Sequence, residues 1–418
     1  MDTLRQTIVS PGRDAESFLV EAISVLHANG AESERAERRT RQLAHALGLN
    51  ARVELGWSWS DFSFGDHSVR GSSAVPSGVA SNRVFAVDRI INELDTGLAA
   101  LADAWERLRW AAVLPPPHLA VFAAACVAGG CGLAVIFGIR GTTALAVIAV
   151  CCAAGAFVRR GLAHRGANAY TQSAAAALVA GLGAAISGGA GSAVGLIALC
   201  PCLILVPGPH LLNGSLDIAA LRIPLGASRL VYAAAVMTAI TAGLLVGLRL
   251  GQAHLATDIS GPGVPLWVEV PTAGFLAVAY GVFYGVPLRV LYWPCLVGGA
   301  AHAVRWTVAQ TGADAWVGAG LACLFAGLVL VPVCARWQLP FSTIGFASVV
   351  SLLPGVLLFR ALAGFAQLPS TAGAPGGQLL VETADNASSA ALVLLAMALG
   401  FLVADAAWTH IRSASSPS

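Results

Sequence analysis

Lysine is absent: all 24 basic side chains among the 418 residues are arginine. With the excess of alanine, glycine and valine, this is the mark of GC-rich, bacterial coding and carries no mechanistic weight. No G-x-x-x-x-G-K-[ST] loop occurs, so the chain has no P-loop ATP machinery, and a gradient must supply any energy for work. Charge of either sign is scarce at 11% of residues, against roughly a quarter in soluble proteins. The net charge of +2, with no basic stripe, gives no sign of nucleic-acid binding. The nine cysteines (Cys126, Cys131, Cys151, Cys152, Cys200, Cys202, Cys295, Cys323 and Cys334) all lie in apolar runs. Disulfides need an oxidising compartment and metal sites a polar setting. They therefore read as small apolar packing residues, and Cys200-Pro-Cys202 is too tight for redox spacing. Neither a cofactor nor a metal is expected.

What charge there is lies unevenly. Residues 1–110 hold 12 of the 24 arginines, while 118–410 contain long stretches with none. This predicts a polar, cytoplasmic N-terminal α+β domain (1–114) followed by a membrane domain, which an internal echo of the sequence divides into two five-helix repeats (115–251 and 252–418). No secretory signal is read, because the first long apolar run follows the polar N-terminal portion.

Within that portion, Phe18 to Leu47 reads as one amphipathic helix. Phe18, Ala22, Val25, Leu26, Ala36 and Leu43 form its apolar stripe and ESERAERRTR its wet face, with Gly48 as C-cap. ARVELGWSWSDF alternates, placing Val53, Leu55, Trp57 and Trp59 on one side of a strand. The stretch GDHSVRGSSAVPSG reads as a loop and Val84 to Trp110 as a second long helix. Asp61, Asp66 and His67 cluster around a glycine but match no metal-ligand spacing, so a solvated loop explains them better than an active site.

After a stiff Pro115–Pro117 hinge come ten apolar segments suited to a hydrocarbon core of roughly 30 Å. They run about 118–138, 142–158, 169–190, 192–214, 229–250, 266–284, 288–309, 314–335, 341–362 and 388–410. SGGAGS is the only turn between the third and fourth. With the N-terminus inside, the inner side holds Arg159, Arg160, Arg165, Arg222, Arg229, Arg289, Arg336 and Arg412. The outer side holds Arg140, Arg249, Arg305 and Arg360, offset by Asp258, Asp314, Glu382 and Asp385. The positive-inside rule then places both termini in the cytoplasm.

LVPGPHLL (205–212) is echoed by LLPGVLLF (352–359), and FGIR (137–140) by YGVP (284–287), both at an offset of 147 residues. Five segments per repeat is odd, so successive repeats enter the membrane in opposite directions. Inverted repeats with paired broken helices are the plan expected of secondary transporters. Each Pro-Gly, Pro207/Gly208 and Pro354/Gly355, breaks its helix. Pro207 removes the donor for the Leu203 carbonyl and Pro209 that for Leu205; in lipid such a break is tolerated only against protein or a wet cavity. Beyond it, His210, Asn213 and Asp217 share one face at i, i+3, i+7, where they could bind an ammonium group or carry a proton. Asp217 could equally pair with Arg222, and Asn213 with a neighbouring helix. In the second copy Ser351 precedes the break and Arg360 follows it. Arg360 could face a substrate carboxylate but suits snorkelling better. Gln172, His302 and Asp405 stand alone on their segments and read as interhelical hydrogen-bonders. LPSTAGAPGGQLLVETADNASS reads as a long final loop.

These pieces resemble the threonine/serine exporters (ThrE-like, including the two-subunit YjjP/YjjB type). ANGAESERAERRTRQLAHALGL is similar to that family's opening helix. VPGPHLLNGSLDI resembles its PG-x-x-L-x-N-x-x-x-D signature, with Pro207, Gly208, Leu211, Asn213 and Asp217 on the pattern. YGVPLR and PFSTIGFASVVSLLPGVLLFRAL resemble the smaller partner of the split form, so the chain reads as a fusion of both parts. The resemblance implies a multi-pass inner-membrane exporter of threonine and serine, driven by protons, and not an enzyme. Its partners are the small amino-acid substrate, protons and the lipid bilayer. Alternatives are a dicarboxylate exporter, a passive channel, or a membrane protein whose N-terminal domain is a hydrolase. The resemblance does not extend to Pro209 and His210, so a proton role for His210 rests on this sequence alone. Homo-oligomerisation through the arginine-rich helix is left open.

Overall fold

The computed structural model describes residues 11–72, 75–76, 78–187, 192–253, 264–371 and 373–415. The SGGAGS turn falls largely outside these residues, and Asp258 entirely so. The chain divides into two compact units, one of residues up to Pro116 with Trp337–Pro340, the other of the remainder from Pro117.

In the first unit the expected single helix is two, α1 (Pro11–Ala28) and α2 (Ser33–Ala46). The break falls at Gly30, whose φ of +90° suits only glycine. The expected strand is likewise a hairpin, β1 (Ala51–Leu55) and β2 (Trp59–Phe64), because the chain turns at Gly56. A Cβ there would overlap the Trp59 indole. Part of the expected loop is a third strand, β3 (His67–Ser72). The sheet is antiparallel in the order β1-β2-β3, with Val53 opposite Phe62 and Phe62 opposite Val69. The second long helix also divides, into α3 (Ser81–Asp95) and α4 (Leu101–Ala112). Phe18, Leu19, Ile23, Leu43, Phe62, Ile91 and Leu108 fill the core between sheet and helices.

The face of α2 expected to be wet is partly buried. Arg35 and Arg39 both clamp the buried Asp88 of α3, through Arg35 Nη2 at 2.7 Å and Arg39 Nε at 2.8 Å. Within the same unit Arg35 Nη1 donates to the Leu339 carbonyl at 3.1 Å. Two cations on one anion let α2 close on α3, and burial pulls the Arg39 guanidinium below its ordinary value while Asp88 opposes that shift.

The second unit is entirely helical among its described residues. Its helices are α5 (Leu119–Ile136), α6 (Thr142–His164), α7 (Ala169–Ile186), α8 (Ser192–Leu203), α9 (Gly208–Ala219) and α10 (Ile223–Leu250). They continue as α11 (Leu266–Phe283), α12 (Tyr292–Ala309), α13 (Ala315–Trp337), α14 (Phe341–Val349), α15 (Gly355–Gln367) and α16 (Ala374–Ser415). Among the described residues seven helices are long and apolar enough to cross a membrane. The number rises to nine if each of two bent pairs is one span. The bends lie at the two Pro-Gly positions, 68° between α8 and α9 and 62° between α14 and α15. Helix α12, at the expected seventh segment, is outside that number. The stretch read as a long final loop is instead mostly the first turns of α16, a 42-residue helix.

Element order recurs. Helix α11 begins and ends 147 residues after α5, and α15 begins 147 after α9. The packing recurs too. A Cβ at Gly208 would meet Leu353 at 2.7 Å, and one at Gly355 would meet Leu203 at 2.6 Å and Val206 at 3.8 Å. Leu353 and Val206 are themselves 147 residues apart, so each break seats its glycine on the turn just before the other. The two halves also share a seam. Gly243 and Gly247 of α10 lie against the backbone of α7, and Gly400 of α16 against that of α13, as small residues do where membrane helices approach closely.

Candidate functional site

The first break is built by Pro207 and Pro209. Neither has an N–H to give, so helical hydrogen bonding stops at Leu203 and resumes from the Pro207 carbonyl, which accepts from His210 N and Leu211 N. The Leu203 carbonyl, deprived of its i+4 donor, accepts from the Val206 N–H at 3.3 Å and from the Tyr280 hydroxyl of α11 at 3.1 Å. Beyond the break α9 is buried from Gly208 to Ser215.

His210, Asn213 and Asp217 all lie on this helix, and all are buried. His210 meets the Tyr232 ring of α10 edge-on, with centroids 4.8 Å apart. Asp217 pairs with Arg229 of α10 at 3.3 Å, with the two side chains 4% and 2% exposed. Two glycines allow this approach: a Cβ at Gly226 of α10 would sit 2.7 Å from the Gly214 carbonyl of α9. Arg229 was read as an inner-loop arginine and is instead a core cation. Arg222, the other expected partner of Asp217, donates its backbone N–H to the Asp217 carbonyl at 2.7 Å.

A second polar cluster lies at the other break. His302 Nδ1 of α12 lies 3.0 Å from Glu269 Oε1 of α11, and its Nε2 lies 2.7 Å from Ser351 Oγ, three residues before Pro354. Arg305 also donates to Glu269 Oε1. Glycines again set the spacing. A Cβ at Gly299 would approach the Val270 carbonyl, and one at Gly298 the Ser348 carbonyl, each at 2.9 Å. Carboxylate, imidazole and hydroxyl thus form one chain along which a proton can move. His302 was read as a lone hydrogen-bonder; Glu269 and Arg305 join it here, and Arg305 is not a loop arginine. The signal for Glu269 was present, as an acid inside the apolar run LWVEVPTAGF.

The remaining candidates are dispersed. Gln172 donates to the Ala167 carbonyl at the start of α7, Asp405 is half-buried on α16, and Arg360 is half-buried on α15. In the N-terminal unit Asp61 takes two hydrogen bonds from Arg70, at 2.8 and 3.0 Å. His67 lies between Asp66 (3.4 Å) and Glu16 (3.2 Å). Asp61 and His67 thus have separate partners, and no group of three His, Cys, Asp or Glu that could hold a metal occurs among the described residues.

No curated protein and no solved structure is significantly similar to the chain. Two family models do match it. ThrE, a threonine/serine exporter, covers residues 17–251. ThrE_2, likewise threonine/serine exporter, ThrE, covers 269–407. The first match contains the α8–α9 break with Asn213 and Asp217, and the second the α14–α15 break with Glu269 and His302. The chain therefore belongs to the threonine/serine exporter family, with both parts of that family on one polypeptide.

Proposed function

We propose that the protein is a secondary transporter that exports threonine and serine across the inner membrane at the expense of the proton gradient. The reciprocal seating of the two helix breaks carries this reading. Two discontinuous helices meeting in an apolar bundle are the plan of alternating-access carriers, whose substrate site lies between repeats. In that plan α5–α10 and α11–α16 are inverted five-span repeats, each bent pair counts as one span, and α12 is the tenth. Both termini are then cytoplasmic.

Each break carries its own ionisable cluster. Asp217 with Arg229 and His210 stands at the first, with Asn213 on the same helix to bind substrate. Glu269 with His302, Arg305 and Ser351 stands at the second. A charged group inside a membrane is costly and is kept where it moves ions or binds solutes. Hydroxyl, imidazole and carboxylate in that order also occur in hydrolytic triads. Here the carboxylate is shared with Arg305 and the hydroxyl sits at a helix break in an apolar bundle, which suits proton handling.

The test is efflux of labelled threonine and serine from dipeptide-loaded cells, with and without an uncoupler. Uncoupler-sensitive efflux against the amino-acid gradient supports the carrier. Efflux that only follows the solute's own gradient after uncoupling identifies a channel, and movement of succinate in place of both amino acids identifies a dicarboxylate exporter.

A further inference from the structure

Arg159 and Arg160 are neighbours on α6 with different fates. Arg160 is anchored: its Nη2 donates to the Pro117 carbonyl at 2.9 Å and its guanidinium lies 4.9 Å above the Phe122 ring. Arg159 lies 5.4 Å above the Phe283 ring, and its Nη1 is buried with no hydrogen-bond partner among the described residues. No salt bridge to it occurs among them either. Arg159 is half-buried, and a guanidinium nitrogen turned inward without an acceptor is costly, a cost that the cation–π contact recovers only in part.

The side chain lines a small cavity with Cys126, Cys152, Gly155, Pro201 and Leu205. That cavity sits at the first helix break, and Pro209 leaves the Leu205 carbonyl without its helical donor. Arg159 and Leu205 both line the cavity, and a cation with a free carbonyl is what an α-amino acid needs, the first for its carboxylate and the second for its ammonium group. In this conformation the cavity is about 10 Å³, room for about one water, so the break must open for a solute to enter. We infer that Arg159 is the carboxylate-binding residue of the transport site, with the Leu205 carbonyl as an acceptor for the substrate's ammonium group. The inference rests on the exporter reading for its substrate and on the unpartnered guanidinium for its chemistry. Arg360, whose Nε is likewise buried without a partner among the described residues, is not among the residues lining this cavity and serves as the control.

The experiment uses the full-length protein in detergent and follows thermal stabilisation by L-threonine, L-serine, succinate and L-threoninol, which lacks the carboxylate. Wild type, Arg159→Gln, Arg159→Lys and Arg360→Gln are compared, then reconstituted in phosphatidylcholine with and without phosphatidylglycerol. Threonine should stabilise wild type far better than threoninol. Arg159→Gln should need at least about tenfold more threonine, the loss expected for a charge-assisted hydrogen bond, with Arg159→Lys intermediate and Arg360→Gln unchanged. Removing an unpartnered cation should leave the ligand-free melting temperature of Arg159→Gln unchanged or higher. Wild-type threonine affinity in Arg159→Gln overturns the inference, as does an equal loss of threoninol. An Arg159-dependent response to phosphatidylglycerol alone also overturns it, identifying a headgroup cation. Arg159-dependent stabilisation by succinate but not threonine supports the carboxylate site while removing the amino-acid reading, so the two fail separately.

Discussion

Asp217 and Arg229 are buried as a pair, and the cost of that burial is recovered only while both are present. Removing one charge from such a pair costs ~3–5 kcal/mol, whereas replacing both can be nearly neutral. Asp217→Asn alone should therefore lower the melting temperature, and Arg229→Gln added to it should recover most of the loss. Transport should not recover with the fold if Asp217 handles substrate or proton. A double variant that folds and exports normally would reduce the pair to a structural device. In the N-terminal unit, His67 is pushed above its ordinary value, first by its hydrogen bond to Asp66 and then by Glu16. A raised folded value means that this stabilisation is fully present below the unfolded value of about 6.5 and is lost as pH rises through the folded one. Histidine-selective NMR should find the His67 midpoint above 6.5 and lowered by Glu16→Gln; a midpoint that Glu16→Gln leaves in place would remove Glu16 as a cause. Residue types inside the apolar runs were legible one at a time, so His210, Asn213, Asp217 and His302 could be picked out. Their partners were not, because Glu269 to His302 and Asp217 to Arg229 are joined by helix packing rather than by spacing along one helix.

At the scale of elements, glycine decides which helices can touch. A Cβ at Gly243 would lie 2.1 Å from the Ala174 carbonyl, and one at Gly247 2.3 Å from the Leu178 carbonyl. Backbone cannot yield as a side-chain tip does, so Gly247→Ala must part α7 from α10, at ~1–3 kcal/mol for overpacking. Gly377 of α16 has nothing within 4 Å of its Cβ position, and Gly377→Ala should be neutral or stabilising by up to ~1 kcal/mol through helix propensity alone. Thermal melting of the two variants in detergent should separate them; equal shifts would show that the seam is loose. The helix breaks were readable because each joins a proline, which removes a donor, to a glycine; Pro201, Pro271 and Pro332 stand inside continuous helices, so proline alone would not have marked them. The N-terminal elements were misjudged in length because hydrophobic periodicity continues across Gly30, Gly56 and the 95–101 turn. Only tertiary packing shows that each turns back there.

At the scale of the whole molecule, the two family matches stop and start on either side of residues 252–268, and each half carries one broken helix. Contact between the halves is extensive. Besides the reciprocal glycine seats at the breaks, α5 meets α11 where a Cβ at Gly132 would overlap Leu276, and Tyr280 of the second half caps the Leu203 carbonyl of the first. In the first half alone the Leu203 carbonyl keeps only the Val206 N–H, at 3.3 Å, and in the second alone the Tyr280 hydroxyl loses its acceptor, so the contact stabilises the assembled pair. The halves should therefore find each other without a covalent link. Cut between Ala253 and Val264 and co-expressed, the two polypeptides should copurify and restore threonine efflux, while each alone is inactive. Tyr280→Phe should weaken copurification of the split form more than it affects the intact chain, because only the split form must hold its halves together by contacts alone. Copurification without efflux would mean that the connecting segment takes part in transport, whereas halves that never copurify would show that the contacts at the two breaks are too weak to join them.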